Sequence, residues 1–402
     1  MENPPDSPTP LPQVVVAGHL CLDLIPDLSR VPAGQFNQLF KPGRMVEAGG
    51  MTFATGGAAS NCGQALHRLG LPVRIAAKVG RDPFGEIVRA LIGQSAPGLE
   101  QGIQSTPDAP TSYTIIASAP GLDRTFLHCT GANDTFGAED VDTHTLEGAA
   151  LLHFGYPELV RRFHQRGGRE LVELFRRARR CGASTSLDMS LPDPAGEAGQ
   201  ADYVEILSAA LPHTSLFLPS FEEALFALRR KTYAVLDEAA GGAGLLRLAT
   251  PELLHSLTGQ MLEMGAGIAG LKLGERGFYL RTAGQKTLAS LGRAAPADLA
   301  AWADQVLWAP AYRVSVAGTT GAGDSAIAGF IGGLLRGLGP RQALSMAAAV
   351  GACNVEAPDA VSGLLSWPAT QARIAAGWPQ HDLALDAEDW EWDAQTGVWA
   401  FR

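Results

Sequence analysis

Apolar strand-like runs alternate with helix-like segments along most of this chain, and that alternation admits few folds. The runs are QVVVAG (13–18), RIAAKVG (74–80), ALLHFGY (150–156), STSLDMS (184–190), SLFLPS (215–220) and GIAGLKLG (267–274). Repeated β-then-α order predicts an α/β sandwich with a mostly parallel central sheet, because parallel neighbours are joined through crossovers that cover both faces. Two segments break the pattern: 31–55, and 111–136, where TSYTIIAS and RTFLHCTG flank the turn-like APGLD. Both have the character of paired antiparallel strands and together predict a small second sheet, placed as a lid.

With 402 residues, 46% of them hydrophobic and 18% charged, the chain can bury one large core or two smaller ones. A net charge of −10 argues against a nucleic-acid partner, since phosphate-backbone binders carry clustered Lys and Arg. The one basic stretch, Arg161 to Arg180, spaces Leu171, Val172, Leu174 and Phe175 as an amphipathic helix with a solvated face. Five dispersed cysteines without a C-x-x-C pair indicate neither a disulfide framework nor a zinc site, and suit a reduced, cytoplasmic protein. The polar, Pro-rich MENPPDSPTP start is no signal peptide; residues 1–12 read as a disordered tail, and no apolar run is long enough to span a membrane. Residues 231–265 and 283–306 read as Ala/Gly-rich insertions without attached chemistry. The extension 371–402 holds Trp378, Trp390, Trp392 and Trp399, and WEWDAQTGVWAF reads as two short strands suited to the core or a subunit contact.

The segment that carries most chemistry is VSVAGTTGAGDSAIAGFIGGLL (314–335), a strand, a glycine turn and a nearly all-apolar helix. A helix opening on Gly321, Ala322 and Gly323 presents unpaired N–H groups and its positive dipole end to an anion. Asp324 in that first turn reads as a capping acid; beside a phosphate nest it can instead accept a proton from an attacking hydroxyl. G-x-G-x-x-A is a weak dinucleotide fingerprint here, because no strand ending in an acid follows, and no G-x-x-x-x-G-K-[ST] occurs. Near the start, FATGGAASNCGQALHRLG (53–70) opens a helix on small residues including Gly56 and Gly57, with Asn61 placed to hydrogen-bond a polyol. Asp23, past the apolar run of the first strand, can reach a ligand at the sheet's carboxyl edge; it also suits a turn.

These two glycine-rich segments, with VGRDPFG (79–85) after the first, resemble the signature regions of the ribokinase-like (pfkB-type) carbohydrate kinase family. The resemblance covers roughly residues 13–370 and implies an αβα sandwich with a β-sheet lid and transfer of the γ-phosphoryl group of ATP to a hydroxyl of a sugar or nucleoside. It implies that Asp324 is the base, that the amides of Gly321, Ala322 and Gly323 form the anion hole, and that Asp23, Gly56, Gly57 and Asn61 meet the acceptor. SFEEA (220–224) is similar to the family's N-x-x-E element, so Glu223 would act on Mg²⁺ through water, with Ser220 in the asparagine's place. LKLGERGFYL (271–280) resembles the nucleotide-side strand and turn, which puts Lys272, Gly274 and Gly277, together with Thr320 and the helix around Asn354, beside ATP. Arg124 on the lid could steady the transferring phosphoryl group, and Asp188 could orient substrate. Phe126 and Phe136 could stack on a base if the acceptor were a nucleoside, and a non-catalytic sugar sensor on the same fold is a third reading. His128, His153 and His213 share no ligand-like spacing and read as core or surface residues. Relatives often dimerise through the lid, which implies a homodimer here.

Overall fold

The computed structural model describes residues 11–402 apart from 33, 35, 37–40, 44, 118–124, 243, 386 and 387. Fifteen strands form two sheets. In chain order they are β1 Gln13–Gly18, β2 Cys21–Pro26, β3 Met51–Gly56, β4 Val73–Gly80, β5 Ile103–Thr106, β6 Tyr113–Ala117, β7 Thr125–Cys129 and β8 Ala149–Gly155. There follow β9 Ser184–Asp188, β10 Leu216–Phe217, β11 Ile268–Lys272, β12 Phe278–Thr282, β13 Val306–Ala309, β14 Trp390–Asp393 and β15 Val398–Phe401.

The large sheet has the order β14-β15-β13-β12-β11-β10-β9-β8-β1-β4-β5, parallel from β5 to β11 and antiparallel beyond. Its central strands are buried on both faces, which is why β1 reads as an unbroken apolar run. Val15 and Ala17 face one core with Leu152, Phe154 and Phe175, while Val14 and Val16 face the other with Leu151, Ile327 and Ile331. The helix Ala322–Leu335 is apolar all round because it is wedged between the sheet, the helix Ala58–Arg68 and the helix Pro340–Asn354. The Trp-rich C-terminal stretch forms the two strands expected and adds them to the sheet's antiparallel edge, with Trp390 buried against Tyr279 and Trp308.

The small sheet, β3-β2-β6-β7, corrects two expectations. Residues 21–26 do not prolong the first strand: Gly18, at φ +119°, ends β1 against Gly155, and β2 begins a second sheet after only His19 and Leu20. The buried Asn133 clamps that turn, its Oδ1 accepting from Leu20 N–H (3.2 Å) and its Nδ2 donating to Leu20 O (3.0 Å). Among the described residues of segment 31–55 the one strand is β3, which pairs antiparallel with β2, while β6 and β7 pair as expected. The basic helix is broken in two by Gly167 and Gly168 at positive φ, leaving Arg169–Arg180 to bury Leu171, Leu174 and Phe175.

Candidate active site

Between the small sheet and the carboxyl ends of the parallel strands lies a cleft of about 1020 Å³. Ligands of doubly wound sheets bind at that edge because the loops and helix N-termini converge there. Of the residues expected at the site, Asp23, Gly57, Asn61, Glu223, Thr320, Gly321 and Asp324 line it, as does Phe126.

Asp324 stands in the first turn of Ala322–Leu335 and is 2% exposed. The helix begins at Gly321 in the left-handed region (φ +73°), where a Cβ would sit 2.6 Å from that of Ala360. A side chain there would therefore meet both strain and a clash. Asn61 donates from Nδ2 to Asp324 Oδ2 (3.1 Å), and Tyr156 donates its hydroxyl to both carboxylate oxygens, 2.9 Å from each. Burial raises the Asp324 carboxyl above the ordinary aspartate range, and Lys272, Asn61 and Tyr156 pull it back down. A carboxylate raised in this way holds a proton more tightly than an ordinary aspartate, a property that suits proton abstraction from an alcohol.

Tyr156 follows β8 in the left-handed conformation (φ +68°, ψ +59°), a placement that costs a non-glycine residue on the order of 1–3 kcal/mol. That turn aims the phenol back at Asp324. No motif marks Tyr156 in the sequence; its one legible signal is a position just past a strand's carboxyl end. His19 was also missed: it connects the two sheets, lines the cleft and packs against His128 (centroids 5.1 Å apart) and Tyr156 (6.0 Å). Of the histidines read as core or surface residues, His128 is exposed on β7, where it borders the cleft, and His153 is buried in the core.

Behind Asp324 lies a charged cluster. Lys272, at the end of β11, donates to Asp188 Oδ1 at the end of β9, and its ammonium is 3.7 Å from Glu223 Oε2. Burial opposes the Lys272 charge, but Asp188, Glu223 and Asp324 outweigh it and hold the amine protonated. An ideal Cβ on Gly323 would lie 3.4 Å from Lys272 Nζ, so the ammonium abuts the helix's first turn. A cation beside the positive end of a helix is unfavourable in itself; together they make an anion site that the three carboxylates neutralise meanwhile.

Ser220 and Glu223, expected at a metal, are bound to each other. Ser220 Oγ caps the helix Phe221–Leu228 by accepting from Glu223 N–H (3.2 Å), and Glu223 Oε2 accepts from Ser220 N–H (2.6 Å). No group of three or more His, Cys, Asp or Glu side chains among the described residues is arranged to hold a metal directly. The pair fits a hydrated ion held through water, not one ligated outright.

The remaining expected residues surround the cleft at one remove. Gly56 leaves room for the Asp23 carboxylate, which a Cβ would approach to 2.5 Å. Asp23 itself belongs to β2 of the small sheet, not to the edge of the large one, and faces the cleft from above. Gly274 and Gly277 form the turn between β11 and β12, with Gly277 pressed on Ala309 O. Asn354 is fully buried; its Nδ2 donates to Ala360 O (2.6 Å) and braces the loop behind Gly321. Phe136 lies in the core, so of the two aromatics proposed to stack on a base Phe126 alone lines the cleft. Arg124 lies outside the described residues, as do residues 1–10 of the expected tail.

A sequence profile of the pfkB family carbohydrate kinases matches residues 11–367. The chain is 24% identical over 318 residues to the 2-dehydro-3-deoxygluconokinase of Bacillus subtilis (strain 168), covering 78% of this chain and 85% of that protein. A structure of Arabidopsis thaliana ribokinase complexed with ribose and ATP superposes with a TM-score of 0.66 at 17% identity, covering 90% of this chain and 98% of the other. The fructokinase with bound ATP from Xylella fastidiosa gives 0.65 at 17% identity, with the same coverage.

Proposed function

Because the chain belongs to the pfkB family of carbohydrate kinases, we propose that its cleft transfers the γ-phosphoryl group of ATP to a hydroxyl, chiefly a hydroxymethyl, of a sugar, with Asp324 as the base. The observation that carries this assignment is a buried carboxylate at the opening of a glycine-led helix, facing the same cleft as Asp23, Asn61 and Thr320.

Phosphoryl transfer asks for alignment and for charge stabilisation more than for covalent help. Asp23 and Asn61 hold the acceptor so that its hydroxyl points at Asp324. Asp324 takes the hydroxyl proton as the oxygen attacks the γ-phosphorus, and the bond to the bridging oxygen breaks, leaving its electron pair on ADP. The amides at Gly321 to Gly323 and the Lys272 ammonium face the charge that spreads over the phosphoryl oxygens. When bound with ATP, Mg²⁺ would neutralise part of that charge, with Glu223 and Ser220 as the residues that hold its water. The small sheet acts as the lid, and its closure excludes the water that would otherwise hydrolyse ATP.

A nucleoside acceptor is disfavoured, since Phe136 is withdrawn into the core. A non-catalytic sensor is disfavoured by the retained base. Replacing Asp324 with Asn is expected to lower kcat by about 10²–10⁴-fold while acceptor Kd stays near its original value, because the base acts in the transition state. Near-normal turnover in that variant would remove Asp324 from the mechanism.

A further inference from the structure

The cleft also holds polar side chains for which the transfer step has no task. Glu158, on the turn Pro157–Leu159, is 2% exposed; its Oε2 accepts from Ser190 N–H (3.0 Å) and Oγ (3.3 Å), while its Oε1 has no partner among the described residues. His164 has its Nδ1 fixed on Pro157 O (3.1 Å), and among the described residues neither its Nε2 nor either ring nitrogen of His19 has a partner. All three side chains are more than nine-tenths buried and line the cleft. Buried polar atoms without partners are few in folded proteins, so their gathering around one cleft points to a ligand that supplies donors and acceptors.

The charge of the lining narrows that ligand. Besides Asp324 and Glu223 it carries Asp23, Asp134 and Asp193, together with Glu197, which is paired at 2.9 Å with Arg161, the lining's one arginine among the described residues. Burial pushes the Glu158 carboxyl up towards its neutral form, able to donate as well as accept. Burial likewise pulls His19 down, favouring its uncharged form. A carboxylate or phosphate entering here would face like charge, whereas an uncharged hydroxyl would meet neutral partners.

We propose that Glu158, with His164 and His19, forms a subsite for uncharged hydroxyls, so that the acceptor is a neutral, hydroxyl-rich sugar and not a sugar acid or sugar phosphate. This rests on the kinase reading above. It also separates the chain from its Bacillus subtilis relative, whose name specifies an acidic sugar.

The test measures ADP release by the full-length protein with ATP and Mg²⁺ on D-fructose, D-ribose and D-glucose, and on 2-dehydro-3-deoxygluconate, gluconate and fructose 6-phosphate. The best neutral sugar is expected to exceed every anionic one at least tenfold in kcat/KM. Glu158→Ala should raise its KM at least tenfold with kcat within threefold, and Glu158→Gln, whose amide also donates and accepts, should restore KM to within threefold. An anionic acceptor with the higher kcat/KM, or a Glu158→Ala variant with unchanged KM, overturns the subsite and leaves the kinase reading standing. ADP release stimulated by no acceptor removes the kinase reading and the subsite with it.

Discussion

Tyr156→Phe isolates the contribution of one hydroxyl to the base. The phenol donates to both oxygens of Asp324 at 2.9 Å inside a buried site, while the ring packs on His19 and remains in the variant. A hydrogen bond to a charged group contributes roughly 1.5–3 kcal/mol, and about 1.4 kcal/mol corresponds to one pKa unit. Losing it should therefore raise the Asp324 pKa by about 1–2 units, above a level that burial has already lifted. The sign follows from the form that works: the ionised carboxylate is the base, the lost donor stabilised that form, and a proton is then held to higher pH. The acid limb of kcat/KM, which reports the free enzyme, should move up by about 1–2 pH units, with little change on the plateau. A pH series with coupled ADP detection on the preferred acceptor reads it. A limb that stays in place, or moves to lower pH, would show that Tyr156 does not set the base.

Lys272→Met should destabilise the fold by about 3–5 kcal/mol, because it leaves the buried Asp188 without its cation; urea unfolding checks this, and adding Asp188→Asn should recover part of the loss. Glu223→Gln should shift the Mg²⁺ titration of turnover to higher concentration by weakening the hold on metal-bound water; an unchanged curve would end that role. Potassium should activate little: where many pfkB-type relatives carry an aspartate before T-T-G-A-G-D that helps hold a monovalent cation, this chain has Gly318, which packs so closely on the 357–363 loop that a Cβ would lie 2.8 Å from Pro358 O; saturable activation on replacing an organic cation with K⁺ at constant ionic strength would contradict this. Phe53 and Leu127, opposite ends of one cross-strand row on the small sheet, are about half exposed. Light scattering should therefore give a dimer at micromolar concentration, and a monomer would count against pairing through this sheet.

The parts of the site that were legible in the sequence are those whose chemistry is local. Gly321 to Asp324 and Gly56 to Asn61 are short runs in which the turn, the helix start and the functional side chain occur together. Tyr156, His19 and Glu158 carry no such pattern, because their roles arise from a left-handed backbone turn, a two-residue sheet-to-sheet connection and a loop packed against Ser190. The sheets followed the same division. Runs buried on both faces identified the parallel core, but pairing of the small sheet depends on β2 meeting β3 across more than twenty intervening residues, which periodicity cannot reveal. Asn354 lies on the helix expected for it, fully buried, and spacing alone could not foretell that its amide donates to Ala360 O.

The hydrogen bond from Asn61 to Asp324 joins residues 263 positions apart, and the phenol that shares the carboxylate comes from 168 positions before it. Such pairings form late, because closing long loops costs chain entropy that is recovered only once both ends are in place. During synthesis β1, β4 and β8 precede Asp324, so on the proposed mechanism the residues assigned to the acceptor are made before the base. Recovery of turnover on refolding should accordingly lag behind recovery of secondary structure, which makes the enzyme's own activity a late reporter of its assembly.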